Sequence, residues 1–168
     1  MSNAPDGWGP SRTKKVAWFD PAIARGAAAS MAGRDFLQAI VDGEVPPPPF
    51  AQLIGADLVS VGDGVAVFRC TPDESTYNPL GLVHGGVLCT LLDSAAGCAV
   101  HSQLPAGVGF SSIEIKVSFL RPANGATLEV EERSLRVGRQ VAFAEAYARN
   151  GDGTLVGHAT SSIALLRP

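Results

Sequence analysis

Hydrophobic positions along residues 55–166 follow two rhythms, and the switch between them outlines a fold. "DLVSVGDGVAVFRCT" has a period of two on either side of Gly62-Asp63-Gly64. It predicts two strands about a tight turn, with Val65, Val67 and Arg69 on one face and Ala66, Phe68 and Cys70 on the other. From Gly85 the alternation is lost. "GGVLCTLLDSAAGCAV" is apolar nearly all round, the pattern of a helix buried over its whole circumference. Alternation returns at 110–121, where Ile113, Ile115, Val117 and Phe119 oppose Glu114, Lys116 and Ser118, and it stops at Pro122. Further strands are predicted over 126–137, 140–149 and 154–166, the last two joined by the hairpin signal Asn150-Gly151-Asp152-Gly153. Within 140–149, Ala142, Ala144, Ala146 and Ala148 share one face. A face of small residues lets another element approach closely, and the apolar helix needs a sheet for cover. The pattern therefore predicts an α+β fold, an antiparallel sheet of five to six strands curled around one central helix.

The N-terminal part reads differently. Residues 1–15 are polar, with Arg12, Lys14 and Lys15, and are expected to form a mobile arm. Asp20-Pro21 has the signature of a helix start, Asp as N-cap and Pro at the first helical position. The Ala-rich run to Met31 and the segment Arg34–Val41, with Phe36, Leu37, Ile40 and Val41 on one face, predict one or two helices ended by Gly43. The proline run 46–49 is a stiff spacer. We therefore divide the chain into an arm and helical extension (1–48) and a main domain (49–168). The extension is expected to pack against the domain and leave the chemistry to it.

Composition narrows the class. The chain has 168 residues, 46% hydrophobic and 17% charged, and a net charge of −3. These values suit a globular domain, and without a basic stripe they argue against nucleic acid as the partner. Thr90, Asp93 and Ser94 interrupt the apolar helix before it reaches the roughly 18 residues of a membrane span. The N-terminus has no apolar core of a signal peptide, and Cys70, Cys89 and Cys98 form no close-spaced pair. Both features point to a cytoplasmic protein with free thiols.

Asp93 is the residue out of place. A carboxylate inside an apolar helix costs several kcal/mol unless something compensates it, and it stands too far from the helix start to be an N-cap. Upstream, His84-Gly85-Gly86 falls where loop becomes helix. The glycines allow a sharp turn; equally, they leave backbone N–H groups bare at the positive helix end, where they polarise a carbonyl or hold an oxyanion. Asn78 lies on the same rim, although starting a turn with Pro79 explains it as well. A zinc site is disfavoured, because His84, Cys89, Cys98 and His101 belong to one helix with no second pair. A Gly-x-Ser-x-Gly elbow and the nucleotide-binding glycine fingerprints are absent.

Taken together, Asn78, His84-Gly85-Gly86, Asp93 and "SSIEIKVSFLRPANG" at 111–125 resemble the hotdog-fold acyl-CoA thioesterases of the phenylacetate-type (PaaI-like) branch of the 4-hydroxybenzoyl-CoA thioesterase superfamily. The resemblance covers about residues 50–166. It implies a central helix wrapped by a curved sheet, a homodimer or homotetramer, an acyl-CoA substrate, and no metal or redox cofactor. By position it implies that Asp93 is the catalytic carboxylate, as nucleophile or as base for water. Gly85 would offer the N–H that binds the thioester carbonyl, beside His84, Asn78 and Gly86. Ser112 would position the carboxylate or water, and Arg121, Arg136 or Arg139 would meet coenzyme A phosphates. Eight residues of helix, about 12 Å, separate Gly85 from Asp93, so the active site is expected to be shared between two subunits. The rival reading is a non-catalytic acyl-CoA sensor on the same fold. A hotdog hydratase would want a His-acid pairing that the sequence lacks.

Overall fold

The computed structural model describes residues 7–125 and 127–167. Three short helices come first: α1 (Pro21–Ser30), α2 (Gly33–Val41) and α3 (Pro49–Ile54). A hairpin of β1 (Ala56–Gly62) and β2 (Val65–Cys70) leads through a 3-10 turn at Glu74–Thr76 to the long helix α4 (Gly85–His101). Then follow β3 (Gly109–Phe119), β4 (Leu128–Val137), β5 (Val141–Asn150) and β6 (Leu155–Leu166). The six strands form one antiparallel sheet in the order β1-β2-β4-β5-β6-β3.

The sheet wraps α4 because its inner positions are apolar and, at the centre, small. Ala142, Ala144, Ala146 and Ala148 are almost completely buried, as are Leu128, Val130, Val156 and Ile163. They close on Leu88, Leu91, Leu92, Ala95, Ala96 and Val100 of the helix in two adjoining clusters. Gly157 belongs to the same logic: a Cβ there would lie 2.9 Å from the Leu88 side chain.

One stripe of α4 stays uncovered. Gly86 is exposed and Cys89, Thr90 and Asp93 are half-buried, at the i, i+3, i+4, i+7 positions of one helix face. The expectation of a helix buried all round is corrected here. The sheet ends at β3, so the stripe beside that edge has no strand to cover it.

β3 also departs from simple alternation. Its register on β6 slips between Ser112 and Glu114, leaving Ile113 as an extra residue. The bulge turns Ile113 outward, 59% exposed, while Ile115 and Val117 pack into the core behind it. Ser112 therefore shares the helix-facing side with Ile115 instead of opposing it.

The extension packs as the sequence predicts. Asp20 Oδ1 accepts from Ala22 N at 2.9 Å, capping α1. Phe36, Leu37 and Ala39 of α2 are buried against Leu58 and Val61 of β1 and Cys98 of α4. The spacer is shorter than expected: Pro49 opens α3, with Pro at the first helical position doing the same work as Pro21. Of the arm, residues 1–6 lie outside the described residues. From the rest, Lys14 Nζ donates to Leu53 O at 3.0 Å and pairs with Asp73, and Arg12 pairs with Glu74.

The extension is seated at one point of close approach. Gly33 N donates to Leu104 O at 2.9 Å, and a Cβ on Gly33 would fall 1.8 Å from the His101 carbonyl oxygen. Both of those acceptors are backbone and cannot rotate aside. Gly33→Ala should therefore lower unfolding stability by about 1–3 kcal/mol and make residues 16–45 more sensitive to protease. Urea titration with limited proteolysis checks this, and an unchanged midpoint and cleavage pattern would contradict it.

Candidate active site

Two clusters of polar groups flank the open stripe of α4, one near its N-terminus and one at its middle. At the N-terminus, His84 is the N-cap, its Nδ1 accepting from Gly86 N at 2.9 Å. Gly86 N–H is thus already engaged, which corrects the expectation of two bare N–H groups. Among the described residues Gly85 N–H has no acceptor, so one N–H remains for a ligand at the positive helix end. Since Nδ1 accepts, the neutral His84 ring carries its proton on Nε2, where it serves as a donor. Asn78 Oδ1 accepts from Leu80 N at 2.9 Å and Leu82 N at 3.2 Å, so its carbonyl organises the turn. Its amide NH2 is left as the donor. Asn78, Gly85 and Arg121 line one pocket of about 360 Å³. Arg121 Nη1 is held by Leu155 O at 3.1 Å.

At the middle of the helix, Ser112 Oγ donates to Asp93 Oδ1 at 2.7 Å. The β3 bulge makes this contact by bringing Ser112 onto the helix-facing side. Asp93 and Ser112 stand where two spaces meet. Outside is an open groove of about 540 Å³ along β3, floored by Cys89, Thr90 and Ile113. Inside is an apolar cavity of about 350 Å³ reaching Ile54, Phe68 and Leu91. Phe50 and Ser94 line both. Asp93 is half-buried rather than sunk in the core, so the burial cost anticipated from the sequence is not incurred within one chain.

Within a single chain the two clusters do not merge. Gly85, Asn78, His84 and Arg121 belong to one end, Asp93 and Ser112 to the next two turns. Arg139, in the β4–β5 turn, lies at the opposite end of the sheet, next to Val137 of the cluster around the C-terminal end of α4. Arg136 is exposed on β4. Neither arginine joins a cluster. Among the described residues, no group of three or more His, Cys, Asp and Glu side chains converges as metal ligands. Among the described residues, no helix is long and apolar enough to cross a membrane.

Two groups escaped the sequence reading. Phe50 needed α3, whose signal was Pro49 at a helix start. Glu132 was legible in Leu128-x-Val130-x-Glu132-x-Ser134, an inward phase that runs into a carboxylate. It is 1% exposed, opposite Ala66 and Ala146, and neither carboxyl oxygen has a hydrogen-bond partner among the described residues. Burial pushes its carboxyl up to about 10, with Asp93 and Glu145 adding to the effect. It is therefore neutral near pH 7 and adds no negative charge beside Asp93.

This carboxyl links stability to pH. Below the ordinary carboxyl value of 4.5, folded and unfolded chains both carry the proton. Above it the unfolded chain releases the proton and the folded chain retains it until about 10. Stability therefore falls as pH rises across that window, by up to about 1.4 kcal/mol per unit from this group. Glu132→Gln removes this term. Its unfolding free energy should decline less than that of the wild type between pH 6 and 8; parallel curves from chemical denaturation would contradict it.

The model of the thioesterase superfamily matches residues 80–157, which include α4, His84, Gly85, Asp93, Ser112 and Arg121 but not Asn78. A Halobacterium salinarum protein that carries an esterase name is 34% identical over 116 residues, 66% of this chain and 76% of that one. The acyl-coenzyme A thioesterase PaaI of Escherichia coli is 32% identical over 91 residues, 54% of this chain and 63% of its own. The solved structure of E. coli PaaI superposes with a TM-score of 0.69 at 25% identity, covering 80% of this chain and 95% of that one. A conserved Pseudomonas aeruginosa protein superposes with a TM-score of 0.68 at 32% identity, covering 71% and 95%. With its wrapped central helix, its paired clusters and these relatives, the chain belongs to the thioesterase superfamily, in its hotdog-fold, PaaI-like branch, and is a thioester hydrolase.

Proposed function

We propose that the protein hydrolyses the thioester of an acyl- or aryl-acetyl-CoA, using Asp93 of one copy on a carbonyl bound at Gly85 of a second. The observation that carries this reading is the position of Asp93. It stands at the neck between an open groove and an apolar cavity, with Oδ1 fixed by Ser112 at 2.7 Å. An acyl-CoA joins a long polar carrier to an apolar acyl group, so its thioester belongs at such a neck. Oδ2 is left for the reaction. The E. coli relative named an acyl-coenzyme A thioesterase supports the same substrate class.

The second copy follows from distance. Asp93 is eight residues beyond Gly85 on one helix, about 12 Å. Attack needs the reacting atoms within about 3–3.5 Å. An antiparallel helix about 8–10 Å away brings its own Gly85 beside Asp93. The uncovered stripe of Gly86, Cys89, Thr90 and Asp93 has the small residues for that approach, and β3 is a free edge beside it. A two-fold homodimer, alone or within a homotetramer, satisfies both.

In the reaction, water adds to the carbonyl carbon as its proton passes to Asp93 Oδ2. The carbonyl electron pair moves to oxygen, which Gly85 N–H and the positive helix end stabilise. Collapse breaks the C–S bond, and the departing thiolate takes the proton from Asp93. In the covalent variant, Asp93 itself adds to the carbon, expels the thiolate and forms an anhydride that water then opens. Asn78 NH2 and His84 Nε2–H serve as rim donors, Gly86 keeps the rim free of side chain, and Arg121 is placed for a phosphate of the carrier. The cysteines are unpaired, which suits the reducing cytoplasm where we place the enzyme.

Asp93→Asn should lower kcat by at least about a hundredfold while the protein stays folded. Near-normal turnover by the folded variant would falsify the assignment. A single turnover of the wild type in H2-18O then tests the covalent route: label in the Asp93 carboxylate marks a nucleophile whose anhydride water opens at the Asp93 carbonyl.

A further inference from the structure

The inner cavity does not end behind Asp93. A second apolar space of about 550 Å³ lies between the N-terminal helices and the sheet. It shares Pro48, Ala51, Ala56, Phe68, Cys98 and Phe110 with the cavity behind Asp93, so the two abut along common walls. Its far wall belongs to the extension: Ala24 and Ala28 of α1, and Phe36, Leu37 and Ile40 of α2. We infer that the N-terminal extension forms the end of the acyl pocket, and that it selects acyl-CoAs with a long, uncharged chain. This deepens the thioesterase reading and rests on it.

The chemistry of the lining supports an apolar occupant. Its side chains are almost entirely aliphatic, aromatic or alanine. The two titratable groups deep in it favour their neutral forms. Burial lowers the pKa of His101, whose ring packs between Phe36 and Phe110 at centroid distances of 5.6 and 5.2 Å. Burial pushes the Cys98 thiol up to about 12. Arg25 lines this space too, from an exposed position on α1. A chain that ends in a carboxylate or several hydroxyls would find no buried partner there.

Length follows from the helix. The chain would enter beside Asp93 and run along α4 towards His101, which lines the far space. Those residues are eight apart, about 12 Å, or about ten carbons of an extended chain. The extension is a fixed wall, because Gly33 seats α2 directly on the His101 and Leu104 carbonyls. The small residues of α1 are what keep the space open. Ala24 and Ala28 present methyl groups to it, so a larger side chain at either position shortens the pocket from the far end.

The test is the chain-length profile of kcat/KM on saturated acyl-CoAs from acetyl to palmitoyl. Each methylene buried is worth about fourfold in binding, so the wild type should rise steeply and peak at about ten to twelve carbons. Ala28→Trp, with Ala24→Phe as a second variant should the first misfold, should move the peak to shorter chains. Relative to octanoyl-CoA, dodecanoyl-CoA should lose at least tenfold. A wild-type profile that is flat or highest for acetyl-CoA overturns the inference while leaving the thioesterase reading in place. So does a profile unmoved by either folded variant. Should no acyl-CoA turn over, calorimetry with the full chain separates the two ideas. Tighter binding of dodecanoyl- than acetyl-CoA, lost in Ala28→Trp, keeps this inference and removes the thioesterase reading. Equal binding of both removes this inference as well.

Discussion

A 17-residue apolar helix must find cover on every side, and the six-stranded sheet, with α2 at the far end, supplies it on all sides but one. Most of the structure follows from that constraint. The alanine face of β5 exists so that α4 can lie close to the sheet, and Gly157 removes the one side chain that would obstruct Leu88. The order β1-β2-β4-β5-β6-β3 leaves β3 as a long free edge next to the open stripe. The stripe holds Asp93, and the β3 bulge brings Ser112 to it. The Asp93 carboxylate, the free edge and the uncovered helix face thus occur at one place, where the sheet stops.

Among the described residues the interior holds one buried carboxyl, and it is instructive. Glu132 occupies an inward position where alternation alone calls for an apolar residue. Alanines on both neighbouring strands leave room for its side chain, and its neutral form is the one that the buried setting favours. It stays within electrostatic reach of Asp93 without being a second negative charge there. A protein of marginal stability carries such an unpartnered group at some expense. The N-terminal helices make a different adjustment. They cover β1 and the far end of α4, and they form one wall of an apolar space beside the sheet.

Much of this was legible in the residues. Period-two runs located the strands, Asp20-Pro21 and Gly43 bounded the extension's helices, and the four alanines marked the face on which the central helix packs. Asp93 and Gly85 were visible as a charge in an apolar helix and a glycine pair at its start. Other features depend on tertiary context. Simple alternation puts Ser112 opposite Ile113 and Ile115; only the slip of one residue on β6 aligns it with Ile115 and with Asp93. Gly86 N–H was expected bare, yet His84 was near enough to cap it. α3 was hidden in a proline run read as a spacer, and with it Phe50. The full burial expected for α4 fails because the sheet stops at β3 and leaves one stripe of the helix uncovered.

The central claim is that Asp93 of one copy works with the Gly85 and Asn78 end of another. Co-refolding of two inactive variants, Asp93→Ala and Asn78→Ala, tests it most directly. Random pairing makes half the dimers mixed, and each mixed dimer carries one intact site and one doubly damaged site. Activity should recover towards about a quarter of the wild type if the sites act independently. No recovery, with mixed dimers verified by mass spectrometry, would place Asn78 and Asp93 in the same subunit's site and contradict the account.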